Sequence, residues 1–413
     1  MEDTELYRRL LGLEAPWAVE RVALELKEQR VDVHAVHQEG VQWACPECGT
    51  LLPIYDHSEE RSWRHLDSMQ FKTFLHARVP RVQCAEHGVK QVRVAWSEAR
   101  SRFTAMFEQF AIDVLLRTDV SGARKILRIS WDEAWHIQER AVARGLAAKK
   151  SRIHPHLGVD EKSFRKGHNY VTLVCDLDEG TVEHVARERT TESLESYFRG
   201  VSQEQLVGIQ AITVDMWDAF IKAIRLHVPE WQKKLVYDRY HVMKNVNHAV
   251  DLVRRKEHRQ LVAEGDETLA RTRYWWLYAK ENLPAIHRKP FRELRDSTLR
   301  TARAWALKES LRELWGCKTR GIAERFWKRW FAWAARSQLK PMIYAARTVK
   351  AHLEGILTYF AHRKTNAVLE GVNSKIQTVK KRAYGFRNID NFKTAIFFHC
   401  GGLQLYPATH GKV

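Results

Sequence analysis

Two short cysteine motifs constrain this chain before anything else does. Cys45-Pro46-Glu47-Cys48-Gly49 and Cys84-Ala85-Glu86-His87-Gly88 share the form C-x2-[CH]-G, with 35 residues between Cys48 and Cys84. In each, two soft donors wrap one tight turn. The glycine that follows supplies a positive-φ position, so backbone N–H groups can turn toward the thiolate. Cys45, Cys48, Cys84 and His87 together make a Cys3His set that suits tetrahedral Zn2+. Four protein ligands close such a site, which makes it structural rather than catalytic. The plain alternative is buried thiols beside a chance histidine, and His57 or His65 could replace one ligand. The alternating run FKTFLHARVPRV between the knuckles predicts the strands of a small ribbon, and residues 1–100 as a whole read as short strands around the Cys/His cluster.

Charge narrows the partner. Lys+Arg 68 against Asp+Glu 50 leaves +18 over 413 residues, an excess that favours a polyanion, of which nucleic acid is the commonest. No run of about 18 apolar residues is present, which argues against a membrane span. The start, MEDTELYRRLLGLEAP, lacks the basic-then-apolar order of a secretion signal. Aromatic residues (15 Trp, 12 Tyr, 16 Phe) run through nearly the whole chain and argue against disorder. Six cysteines are too sparse to staple a chain of this length, so a reducing cytoplasm is expected.

Residues 101–150 predict a helix-turn-helix. FTAMFEQFAIDVLLRT places Phe103, Phe107, Phe110, Ala111, Val114 and Leu115 at helical spacing, and SGARKILR follows as a short helix. Ser130-Trp131-Asp132-Glu133 is a capping box that starts WDEAWHIQERAVARG. The beginning of that helix, with Trp131 and His136, could enter a major groove. Arg124, Lys125, Arg128, Arg140 and Arg144 could hold phosphates. A plain three-helix packing unit is the alternative.

The chemistry is expected in an acidic constellation. HLGVDEKSF, HNYVTLVCDLD (168–178) and TVEHVARER (181–189) read as a strand meander, and the helix ESLESYFRGV follows. GIQAITVDMWDAF then gives an apolar strand closing on Asp215, and KLVYDRYH another ending at Asp238. Asp160 and Asp215 thus sit on separate β-runs, where pairing of the strands could bring them together. Carboxylates that close repel and raise each other's pKa, which a divalent cation relieves. Mg2+ takes oxygen ligands and keeps positions open for water and phosphate, and a pair of such ions serves phosphoryl transfer. Glu370 offers a third acid on the helix TNAVLEGVNSKIQTVKKRAYG, whose apolar side is Val368, Leu369, Val372, Ile376 and Val379. Asn366, Glu370, Asn373 and Gln377 share another face of it. Each acid taken singly could equally be a solvated strand end or helix-surface charge.

The stretches GVDEKSFRKGHNYVTLVCDLD, AITVDMWDAF, YDRYHVMKNVNHAVD and RKTNAVLEGVNSKIQTVKKRAYGFRNIDNFK resemble bacterial insertion-sequence transposases of the DDE type, most of all the group named after the element ISL-three. The resemblance covers nearly the whole chain. It implies an α/β RNase H-like catalytic core with a helical insertion, preceded by a zinc ribbon and an all-α helix-turn-helix domain. The expected segments are 1–100 (zinc-ribbon region), 101–150 (helix-turn-helix), 151–250 (first part of the core), 251–345 (helical insertion) and 346–413 (last part, with the third acid). It also implies that Asp160, Asp215 and Glu370 hold two Mg2+ (or Mn2+) ions. Glu161, beside Asp160, competes for the place of first ligand. Asp238 and His241 match a C/D-x2-H motif near the cleavage site, with His241 orienting the strand or moving a proton; a structural Asp–His hydrogen bond is the alternative.

Lys375, Lys380, Lys381 and Arg382 could grip phosphates. The tail Gly385-Phe386-Arg387-Asn388 through Asn391-Phe392 resembles the family and could simply pack the last helix onto the sheet. The Trp- and Arg-rich stretch 251–345 shows no strand pattern, and its tryptophans are read as core before any base-stacking role. The partners implied are double-stranded DNA (terminal inverted repeats and target) and a second copy of the chain, in a bacterial cytoplasm at the nucleoid. A metal-dependent nuclease without strand transfer and a non-catalytic DNA-binding regulator are the competing classes.

Overall fold

The computed structural model describes residues 2–165 and 169–408. The chain forms two compact units: Met1–Lys150 with Val379–Tyr384 and Thr394–Val413, and Ser151–Thr378 with Gly385–Lys393. The final segment, expected as one piece, is therefore shared between them. The reason lies in Phe398 and Leu405, which bury in the core of the first unit's helices.

The first unit opens on a larger sheet than a ribbon. Its strands are β1 (Trp17–Glu25), β2 (Arg30–His37), β3 (Trp43–Ala44), β4 (Leu51–Leu52), β5 (Ile54–Ser68), β6 (Phe71–Cys84) and β7 (Gly88–Gln91). β1, β2, β6 and β5 lie in that order, with β7 on β6, and β3 pairs only with β4. The expected short strands are corrected here: β5 and β6 are 15 and 14 residues long and form one antiparallel hairpin. FKTFLHARVPRV is the body of β6, whose alternate residues Thr73, Leu75, Ala77 and Val79 are buried. That period of two identifies the inward face but not how far the sheet extends.

Three helices follow, Ala105–Arg117, Val120–Leu127 and Trp131–Ala148. Each is capped by a side chain, from Thr104, Asp119 and Ser130 in turn, and the Ser130–Glu133 capping box forms in full. Each such cap is worth about 1 kcal/mol. Phe103, Phe107, Ala111 and Leu115 bury as the spacing predicts, but Phe110 is 46% exposed and is not part of that core.

The second unit is built on β8 (His156–Arg165), β9 (Asn169–Asp176), β10 (Thr181–Arg187), β11 (Ala211–Val214) and β12 (Leu235–Tyr237), in the order β10-β9-β8-β11-β12. β8, β9 and β10 are an antiparallel meander, while β11 runs parallel to both β8 and β12. The predicted start of β9, His168, lies outside the described residues. β11 is buried at all four positions, the pattern of a central strand covered on both faces.

The helix Arg239–Ala263 leaves β12 and runs past position 250 into the helical stretch. Among the described residues from 251 to 345 there is no strand. Trp276, Trp305, Trp315, Trp327 and Trp330 are buried there, so the tryptophans are chiefly core; Trp333 is exposed. No helix among the described residues is long and apolar enough to cross a membrane.

Candidate active site and metal centres

Strand register brings the first two acids together. β11 pairs β8 in parallel with Thr213 opposite Gly158, so two residues further on Asp215 leaves its strand beside Asp160. Oxygens of Asp160, Glu161 and Asp215 all lie within 4.8 Å of one another. Burial, then the Asp215 charge, pushes the Asp160 carboxyl up to about 6. Its Oδ2 accepts a 2.5 Å hydrogen bond from Asn373 Nδ2.

β12 delivers Asp238, whose N–H donates to the Val214 carbonyl and whose side chain accepts from the Tyr240 N–H. One turn into the helix it starts, His241 places Nδ1 2.8 Å from Asp215 Oδ2 and Nε2 3.9 Å from Asp238. Burial alone would lower the His241 pKa, but the Asp215 hydrogen bond and the two negative charges outweigh it and raise it. Burial raises that of Asp238. A hollow of about 220 Å³ beside these groups is lined by Glu161, Asp215, Trp217, His241 and Lys244 among others. Lys244 escaped the sequence reading, although its spacing from His241 puts both on one helix face.

Glu370 stands apart from the tight cluster. It is exposed in the first turn of the helix Ala367–Arg382, and the close group of carboxylates contains Glu161 instead. Its helix nevertheless reaches the site: a Cβ on Gly158 would meet Leu369 at 3.2 Å, so the bare glycine lets that helix approach β8. Asn373, three residues after Glu370, bonds to Asp160, and the Glu370 charge helps raise the Asp238 pKa. Asn366 and Asn373 each keep a buried amide oxygen without a partner among the described residues. Val368 is exposed rather than apolar lining, while Leu369, Val372 and Ile376 bury.

In the first unit, the four predicted zinc ligands converge. Cys45, Cys48, Cys84 and His87 bring their donor atoms within 4.8 Å of one another. The Cys48–Cys84 sulfur separation of 3.7 Å is far beyond a disulfide. The turns are built as their glycines require: Gly49 and Gly88 have φ of +78° and +67°. The Thr50 hydroxyl and backbone N–H draw the Cys48 thiol down to about 6, which favours the ligating thiolate. The donor set fits a structural Zn2+. Neither substitute joins it, since His65 bonds Thr104 and His57 bonds His37.

The basic residues divide by partner. Arg124, Lys125 and His136 are exposed, as is Trp131, whose ring stacks on Trp135 at 5.7 Å. Arg128 is bound to Asp67 and the Gln70 carbonyl, Arg140 to the buried Glu108, and Arg144 to Glu98 and Glu108. These three are occupied within the fold. Lys375, Lys381 and Arg382 are exposed, and Lys380 is half-buried.

Residues 157–396 match a family described as "Transposase". Residues 42–87 match the zinc-finger of transposase IS204/IS1001/IS1096/IS1165, and residues 92–142 the helix-turn-helix domain of transposase family ISL3. Similar proteins include the transposase for insertion sequence element IS1001 of Bordetella parapertussis, 25% identical over 84% of this chain and 86% of that one. Another is the transposase for insertion sequence element IS1557 of Mycobacterium tuberculosis, 26% identical over 94% of this chain and 93% of that one.

Proposed function

Given that this chain belongs to the ISL3 family of transposases, we propose that it binds the terminal inverted repeats of an insertion sequence and cuts and joins DNA at Asp160, Asp215 and Glu370. The observation that carries this reading is the parallel register that sets Asp215 beside Asp160, with the Glu370 helix bonded to Asp160 through Asn373. The strand order, an antiparallel meander extended by two parallel strands, supports reading this unit as an RNase H-like core.

The donor chemistry fits Mg2+ or Mn2+: crowded carboxylate oxygens, one of them held back from ionising until about pH 6, ask for a hard cation. Two bound ions supply activation of water and charge neutralisation on the phosphate. The chain's own side chains do the positioning. Asn373 fixes the Asp160 carboxylate, and Asp215 and Asp238 hold His241 with its ring facing the hollow where the strand would lie. Lys244, which lines that hollow, faces a phosphate. The 3′-hydroxyl freed by the first cut then serves as nucleophile toward target DNA. Arg124, Lys125, Trp131 and His136 read the repeat, and two ends brought together call for a dimer.

The test is purified full-length protein with Mg2+ or Mn2+, labelled DNA from either side of its reading frame, and a plasmid target. Cut ends joined to plasmid are expected. Cutting without joining would make it a nuclease, and binding without cutting a regulator.

Asn373→Ala carries a narrower expectation. Release of Asp160 should slow cleavage by about 10–100-fold. The Mn2+ titration, followed by calorimetry, should move to higher concentration while duplex binding is kept. An unmoved titration would leave Asn373 a packing residue only.

A further inference from the structure

One cavity of the second unit belongs to none of the groups above. It is a groove of about 690 Å³, three times the hollow beside Asp215. One wall is one end of the meander: Phe164 of β8, Tyr170 of β9, Arg187 at the end of β10 and Glu188 to Thr190 beyond it. The other is Arg387-Asn388-Ile389 of the tail. That tail is fixed in place. Arg165 donates to the Phe386 and Arg387 carbonyls, and Phe392 packs on Phe164 at 5.7 Å and on Phe386 at 5.2 Å.

The groove is cationic and polar. Three arginines line it against one carboxylate, Glu188. Arg187 pairs at 2.6 Å with Asp390, but both side chains are more than half exposed, and so open an ion pair is easily exchanged for a phosphate. Arg387 is exposed on the opposite wall. Between Arg187 and Arg189, Glu188 is held at φ +64°, with its N–H bonded to the Tyr170 carbonyl and its own carbonyl to Thr172. Strained, over-determined backbone of this kind gathers at ligand sites.

Arg189 joins the groove to the acids. Its guanidinium lies over Tyr170 at 4.5 Å and Trp217 at 4.7 Å and pairs with Glu161 at 3.4 Å. Glu161 and Trp217 in turn line the hollow at Asp215.

We infer that this groove holds unpaired nucleotides of the DNA strand that runs past the scissile phosphate. The inference rests on the function proposed above. A concave site of this volume is sized for one or two nucleotides rather than a duplex. Its mixture of guanidinium, amide, hydroxyl and aromatic groups is what recognises a strand with splayed bases and an anionic backbone.

The experiment uses full-length protein and a labelled 30-base-pair duplex from the DNA flanking its reading frame, either blunt or with a dT4 3′ tail. The tail should tighten binding of the wild-type protein by about tenfold. Arg387→Ala with Asn388→Ala should erase that gain while blunt-duplex affinity is kept, which also reports that the protein is folded. Arg387→Glu should make the tail unfavourable. Equal binding of blunt and tailed DNA by the wild type, or a gain that survives in both variants, overturns the groove. If the blunt duplex is still cut in Mg2+ in that case, the proposed function stands without it. If no duplex binds, both fall.

Discussion

Asp160→Asn and Asp215→Asn should each reduce DNA cleavage and joining roughly a thousandfold or more while binding to terminal DNA persists. The substitution is nearly isosteric, and at Asp160 it keeps an oxygen for Asn373 Nδ2, so what is lost is charge rather than shape. Stability should move the other way. A carboxyl raised from 3.8 to about 6 by burial and by Asp215 penalises the folded state when ionised, by up to about 3 kcal/mol. That penalty is fully present above pH 6 and fades as pH falls toward 4. Without added Mg2+ or Mn2+, Asp160→Asn should therefore melt at or above the wild-type temperature at pH 8 and lose this advantage at pH 4. Added Mg2+ or Mn2+ should stabilise the wild type and not the variant. Glu370→Gln should be as inactive as the other two. Because Glu161 rather than Glu370 lies in the tight carboxylate group, the decisive control is Glu161→Gln. If it is dead and Glu370→Gln is active, the third acid is Glu161. Wild-type cleavage by Asp215→Asn would end the two-ion reading altogether.

Much of this site could be read from the residues because its logic is local. An apolar run ending in Asp215 and a second β-run carrying Asp160 already imply neighbouring strands, and the parallel register does the rest. Ser130 and Glu133 announced their helix start because a capping box is a four-residue event. The paired knuckles were legible for the same reason. What escaped depended on distant partners. Arg128, Arg140 and Arg144 look like phosphate contacts in a basic sequence. Only the fold reveals Asp67, Glu98 and Glu108 opposite them, with Glu108 buried at 1% exposure. Asn373 had the same spacing signal as Glu370, yet a neutral amide does not stand out as an acid does. The length of the β5–β6 hairpin is not legible in the sequence, because alternation marks a face and not a length. The tail after Glu370 reads as one segment, although its residues serve two cores.

Zinc removal should have the most localised structural effect, and the two knuckles should respond unequally. Cys84 ends the 14-residue β6 and is carried by a sheet with its own core, including Trp63, Leu75 and Val79. Cys45 and Cys48 sit in a turn carried by the two-residue strands β3 and β4, through Cys45 N–H to the Thr50 carbonyl and Gly49 N–H to the Cys45 carbonyl, with Arg93 donating to the Pro46 carbonyl and Trp43 packed on Trp17. A ribbon of four residues has no independent stability in water. Beyond the anchor that Trp43 gives, the tip from Pro46 to Gly49 depends on the four donors closing on an ion, a linkage that amounts to most of the folding energy in small zinc modules. Purified wild-type protein should hold one zinc per chain, and Cys45→Ser or Cys84→Ser should hold none. In both variants, hydrogen exchange across residues 42–52 should become fast while β5 and β6 keep their protection. Terminal-DNA affinity should fall tenfold or more, since the knuckle is no longer a fixed surface. Lowering pH should act on the wild type in the same direction, since protons compete with the ion for the cysteine thiolates and for His87. Zinc-free wild-type protein with slow exchange at Cys45 and Gly49 would show that the turn stands without metal.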